Sequence, residues 1–175
     1  MQAGPGASNR ATSAHSTESS LREKTIEHLF IGELLRCLWR KGMRDVEVLR
    51  AEVDRGGYDL VIEANGIVRH IQFKASHRTA KTADINVHIN LERKPSACVI
   101  WIQFDVESME LGPYLWFGAA AGEPIEALGD LIARHSKGNR NGFKAARPNL
   151  RVIKKARFEV LNTVEELTRR LFGDR

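Results

Sequence analysis

The succession of hydrophobic patterns in this chain predicts one α/β (α+β) domain, a mixed central sheet of about five strands flanked by helices. Three observations carry that reading. A helical repeat of Ile26, Phe30, Leu34, Cys37 and Leu38 comes first. Two alternating apolar stretches then flank Asn65-Gly66, the strongest short hairpin signal a sequence can carry. Further on, "ACVIWIQFD" and "PYLWFGA" are nearly continuous apolar runs, as expected of central strands buried on both faces. Strands grouped between helical patterns give an α/β or α+β architecture. At 175 residues, 42% hydrophobic and 28% charged, the chain is long enough for one domain with its own core.

Residues 1–18 are small and polar without periodicity, so they are expected to form a disordered tail ahead of a single domain over 19–175. Ser20 and Glu23 form a capping box, and the apolar spacing carries the helix from Leu21 to Arg40, with Gly42 as its stop. "DVEVLRAEV" reads as the first strand, "DRGG" as a turn and "YDLVIEA" as the second strand. A type I′ turn at Asn65-Gly66 returns the chain as "IVRHIQFKA". "INVHINL" alternates as a strand does, with a short helix through "NLERK" as the alternative. "IEALGDLIARH" has a helical period, "SKGNRNG" is a loop, and "LRVIKKARFEV" is extended. "TVEELTRRLF" closes the chain as a helix behind a second capping box, Thr163 to Glu166. Cys37 and Cys98 lie in apolar patterns and read as buried thiols, and Trp39, Trp101 and Trp116 read as core.

No window approaches the roughly 18 apolar residues that a membrane span needs, and no apolar segment follows basic residues at the start. No membrane partner is expected, and the expected location is cytoplasmic. The net charge of +5 is unevenly spread. Between Arg134 and Arg157 stand nine Lys or Arg residues and no acid. Such a segment points to a polyanion, of which nucleic acid is the commonest. Lys137, Arg140, Lys144, Arg147, Arg151, Lys154 and Lys155 are the candidate phosphate contacts. No base-reading helix accompanies them, so binding should depend on salt and only weakly on base sequence.

The hairpin carries the candidate chemistry. Pairing outward from Ala64 and Ile67 puts Asp59 opposite Gln72, with Cβ atoms roughly 4.5 to 5.5 Å apart. Lys74, two residues on, turns to the same face, leaving Tyr58, Leu60, Ile62, Ile71 and Phe73 for the core. A carboxylate and an amide oxygen can hold a hard cation such as Mg²⁺ or Mn²⁺. The ammonium beside it can serve an attacking water or the charge on a phosphate. The first helix offers a second carboxylate, Glu33 or Glu27, on its packed side.

Glu33 on a first helix, "GGYD" leading a strand, a short turn and "IQFK" on the next strand resemble the PD-(D/E)xK nuclease superfamily over residues 21–104. The resemblance implies a restriction-endonuclease-like core. It matches Asp59 to the metal-binding aspartate, Gln72 to the (D/E) position, Lys74 to the motif lysine and Glu33 to the first-helix glutamate. Glutamine in place of the acid is similar to the QxK variant of Mrr-type restriction nucleases, and Tyr58 stands where a proline is common. Asp54 is either an auxiliary ligand or the cap of the turn. The implied function is Mg²⁺- or Mn²⁺-dependent hydrolysis of phosphodiester bonds in DNA by an endonuclease, with RNA as the other candidate polymer. A homodimer is the implied arrangement for cutting both strands. Two rivals stand beside it: a nuclease-fold nucleic-acid-binding or assembly protein with a weakened site, and a metal-dependent enzyme acting on a small phosphate ester.

Overall fold

The computed structural model describes residues 6–52, 55–138, 140 and 142–174, with side chains described from residue 18 onward. The chain is α+β: among these residues are two α-helices, a mixed six-stranded sheet and a second sheet of three strands. Helix α1 spans Gly6–Arg40 and α2 Val164–Phe172. The strands are β1 (Val46–Arg50), β2 (Leu60–Ala64), β3 (Ile67–His77), β4 (Asp84–His88), β5 (Ala97–Phe104), β6 (Leu111–Gly118), β7 (Ile132–Arg134), β8 (Ala146–Lys154) and β9 (Glu159–Leu161). The larger sheet runs β1-β2-β3-β5-β6-β9, the smaller β4-β8-β7. Among the described strands only β3 and β5 pair in parallel, and β4 lies within the crossover between them.

The expected ends and turns follow local chemistry. α1 stops at Arg40 with Gly42 at φ 77°, and Met43 N–H closes back onto Leu38 O. Asn65 and Gly66 both have positive φ, 56° and 71°, the pair that a type I′ turn requires. That turn sets Ala64 against Ile67 and Leu60 against Ile71, the expected register. At the other end Thr163 Oγ1 accepts from Glu166 N–H and caps α2.

Three expectations are corrected. α1 begins at Gly6 instead of near Leu21, so it passes through Ser20 and through most of the stretch expected to be a disordered tail. No proline interrupts 6–40, and a nucleated helix gains one hydrogen bond for each residue added. Residues 125–131 are not helical. Leu128 N–H donates to Glu92 Oε1, Arg157 binds the carbonyls of Ala127 and Leu128, and Gly129 turns at φ 88°, so tertiary partners take the bonds a helix would use. Trp39 is 64% exposed beneath the Arg44 guanidinium and is not core.

The six-stranded sheet is covered on both faces. On one, α1 and α2 bury Phe30, Leu34 and Leu171 against Leu60, Ile71, Ile100 and Ile102. On the other, Val87 of β4 and Ile153 of β8 pack on Val99 and Trp101. β5 therefore alternates between two cores, and its apolar run has no solvent side. Cys37 and Cys98 are both buried and free, as expected. Arg69, 2% exposed, donates to the carbonyls of Leu171, Arg170 and Ala119, which fixes α2 to the sheet.

Candidate functional site

Asp59 immediately precedes β2 and is held on both its backbone and side chain. Its N–H donates to Ile71 O at 2.9 Å, and its Oδ2 accepts from Phe73 N–H at 2.7 Å. The N–H thus bonds Ile71, the residue already paired with Leu60, so the ladder slips by one residue at Asp59 and the expected pairing of Asp59 with Gln72 is not continued beyond Leu60. The carboxylate lines an open cavity of about 320 Å³ between the hairpin and α1, together with Phe73, Lys74, Glu23, Lys24 and Glu27. Asp59 and Lys74 both contribute atoms to this wall. Lys74 is half-buried there, near the end of β3.

Gln72 goes elsewhere. It is 5% exposed, and its Oε1 accepts from His88 N–H at 3.2 Å, at the end of β4. It pairs with Val99, whose side chain belongs to the core between the two sheets, and it is not part of the cavity wall. The expected convergence of Asp59 with Gln72 is thus replaced by a division: the aspartate reaches to the α1 side and the carboxamide bonds the second sheet. Tyr58 parts from Leu60 and Ile62 in the same way. Its ring meets His70 at 5.0 Å and Lys94 at 5.3 Å, against the second core, because the strand begins only at Leu60.

The two candidate helix acids also separate. Glu33 Oε2 accepts from the Tyr114 hydroxyl at 2.8 Å and does not line the cavity. Burial, and next this bond to Glu33, push the Tyr114 hydroxyl well above its ordinary pKa. Glu27 does line the cavity, at 9% exposure, with Oε2 2.9 Å from Lys24 Nζ and Oε1 3.1 Å from Arg50 Nη1. Six residues of helix separate the two by about 9 Å along the axis, which sends them to different strands. Asp54 lies outside the described residues.

Among the described residues no group of three or more His, Cys, Asp or Glu is arranged to hold a metal. The donors that share the cavity wall are oxygen: the Asp59 and Glu27 carboxylates, with Glu23 at its margin. One or two carboxylates completed by water and phosphate oxygens suit Mg²⁺ or Mn²⁺, whereas zinc favours thiolates and imidazoles. Their chemistry is of the kind a hydrated hard cation takes, with both Glu27 oxygens also paired to Lys24 and Arg50. Sequence reasoning missed Glu23, Lys24 and Arg50 as neighbours of the site. The spacing of Glu23 and Glu27, four apart and so on one helix face, was the available signal.

The basic segment forms one wall of the second sheet. Lys137, Arg140 and Lys144 lie exposed in the connection from β7 to β8, and Arg147 is exposed on β8. Arg151 is half-buried, its guanidinium 2.7 Å from Pro148 O. Lys154 pairs with Asp84 at 2.7 Å, and Lys155 lies over the Trp101 ring at 5.6 Å. The last three are therefore engaged within the chain. β8 pairs with β4 through Leu150 and His88, the residue whose N–H meets Gln72, so the basic strand is one hydrogen bond removed from β3. No helix of the described residues is long and apolar enough to cross a membrane. Comparison with family models, curated proteins and solved structures finds no match to this chain.

Proposed function

We propose that the chain is a divalent-metal-dependent phosphodiesterase that cuts DNA from within, on a restriction-endonuclease-like core. The observation that carries the proposal is the shared cavity: a clamped aspartate, a half-buried lysine and a buried glutamate all line one opening beside the sheet. The order of a helix, an antiparallel three-strand meander and a strand parallel to β3 supports the core.

Asp59 and Glu27 would hold Mg²⁺ or Mn²⁺, while Gln72 braces β3 against β4 through His88 and Glu33 supports the helix through Tyr114. The cation, when bound, lowers the pKa of an attacking water and takes up charge on a phosphate oxygen. The chain does the rest. Phe73 N–H fixes the Asp59 carboxylate, so its aim does not depend on rotamer freedom. Lys74 donates to the phosphate or the water and offsets the charge that grows there. Lys24 and Arg50 hold the Glu27 carboxylate in place at its buried position. Lys137, Arg140, Lys144 and Arg147 follow the backbone of the polymer. A homodimer would supply the second cut in a duplex. Two buried free thiols suit the reducing cytoplasm.

Plasmid, linear and branched DNA incubated with the protein in Mg²⁺ or Mn²⁺ test this. Cleavage should fall by at least about 100-fold in Lys74→Ala and in Asp59→Asn, the scale of losing one charge-stabilising group. Cleavage unchanged in Lys74→Ala refutes the mechanism. A second reading, a nucleic-acid-binding or assembly protein that keeps the fold, is favoured by one observation: the Gln72 oxygen already accepts from His88 N–H. Mn²⁺ titration separates the two. Binding lost in Asp59→Asn supports the enzyme, and salt-sensitive DNA binding without Mn²⁺ binding supports the module.

A further inference from the structure

The basic segment is folded as a hairpin that carries an exposed aromatic ring. β7 pairs with β8 through Arg134 and Ala146, His135 N–H extends the pairing to Ala145 O at 3.0 Å, and residues 135–145 connect the strands. Within that connection the backbones of Gly138 and Gly142 approach closely: a Cβ added at Gly138 would stand 2.8 Å from Gly142 O. Only a residue without Cβ allows this, so the connection is drawn in just ahead of Phe143. Phe143 itself is 62% exposed. Arg134 Nη1 donates to Lys144 O at 3.4 Å, which holds a guanidinium at the residue that follows the ring. Lys137, Arg140, Lys144 and Arg147 are exposed as well, and no acidic residue stands between Asp130 and Glu159 in the sequence.

A single exposed apolar side chain is ordinary. The neighbours make this one informative. Cations without an acid among them select a polyanion, and a flat ring set between such cations matches the way unpaired strands are held, with charge along the backbone and rings against the bases. Leu131 and Ile132 expose aliphatic side chains at the foot of the same hairpin, which makes an anionic lipid surface the competing occupant. Lipid-seeking segments separate an apolar face from a basic one along a helix. Here the cations stand on both strands and on the connection, before and after the ring in sequence, and that arrangement favours a nucleic acid strand.

We propose that Phe143 stacks on an unpaired base of DNA while Arg134, Lys144 and Arg147 take the phosphates on either side. Resting on the DNA contact proposed for the basic segment, the stack narrows the substrate: DNA with a single-stranded, frayed or flapped stretch is preferred to continuous duplex. In a duplex each base face is covered by its neighbours, so the ring finds a partner only where a strand is unpaired.

The test uses the full chain and the variants Phe143→Ala, Phe143→Leu and Phe143→Trp, all at an exposed side chain. Anisotropy with a 5′-fluorescein oligothymidylate and with a labelled blunt hairpin duplex is read in EDTA. The alanine and leucine variants should weaken oligothymidylate binding at least about fivefold, and tryptophan, which keeps a ring, should stay within about twofold. All three should bind the duplex within about twofold of the parent and keep its slope of log affinity against log salt, because no cation is lost. Equal loss on both probes, unchanged oligothymidylate binding in Phe143→Ala or in Phe143→Leu, or no oligothymidylate binding by the parent overturns the stack. Sedimentation with phosphatidylcholine–phosphatidylserine vesicles that Phe143→Ala abolishes and Phe143→Leu keeps, with oligothymidylate binding unmoved, assigns the hairpin to lipid and also overturns it. Selective loss on oligothymidylate without any DNA cleavage by the parent in Mn²⁺ upholds the stack and overturns the nuclease reading. Cleavage by the parent with oligothymidylate binding unmoved in Phe143→Ala does the reverse.

Discussion

Replacing Gln72 by alanine and by glutamate distinguishes a strap between sheets from a metal ligand. In Gln72→Ala the His88 N–H loses its acceptor at a site where the glutamine is 5% exposed. A buried donor left unsatisfied costs about 1–3 kcal/mol. For a domain near this size each kcal/mol moves the melting temperature by about 2–4 °C, so a drop of about 2–12 °C is expected. Gln72→Glu keeps an oxygen for His88 and places an acid at the position where the nuclease motif has one. Because the side chain at 72 serves the β4 side and Asp59 the α1 side, the added carboxylate should leave Mn²⁺ affinity within about threefold of the parent. Thermal or urea unfolding of both variants, with calorimetric Mn²⁺ titration, reads the two effects separately. A tenfold gain in Mn²⁺ affinity in Gln72→Glu, or parent-like stability in Gln72→Ala, would refute the reasoning.

Three further outcomes are expected. Lys137→Ala, Arg140→Ala and Lys144→Ala combined should reduce the slope of log affinity for DNA against log salt by about 2.7, or 0.9 for each phosphate no longer neutralised, measured by anisotropy across a salt series. Tyr114 is held neutral by burial and Glu33, above its ordinary pKa of 10.0. The unfolded chain then releases this proton first, so the parent should lose stability as pH rises above about 10, and Tyr114→Phe should show a shallower loss in urea melts at pH 9 and 11. Arg69→Met removes the donors to three carbonyls around the end of α2 and should destabilise by more than about 2 kcal/mol, as read from the urea midpoint.

Local chemistry made the hairpin and the helix stops legible. Asn65-Gly66 dictates a turn type, the turn type dictates the register, and Gly42 and Thr163 end and begin helices by their own geometry. What could not be read is nonlocal. Nothing within residues 125–131 announces that Glu92 and Arg157 will take their backbone groups. The second sheet joins β4 to a strand some sixty residues away, and period alone does not pair such segments. The site shows the same split. The hairpin brings Asp59 against Phe73 N–H, whereas Gln72 turns to β4, which lies beyond it in the chain. A helical wheel turns Glu27 and Glu33 both inward, but only the packing of α1 along the sheet decides that Glu27 faces the cavity and Glu33 faces Tyr114.

Placing β4 in the crossover imposes an order of assembly on a growing chain. Every residue of the acidic cavity has been synthesised once Ile102 is made, whereas β4 finds its partner only when Ala146–Lys154 emerges. A ribosome-bound intermediate therefore carries the aspartate and the lysine before it carries the wall of arginines. The cationic surface is added later, onto a strand that has waited unpaired at its outer edge, and β9 and α2 still follow it.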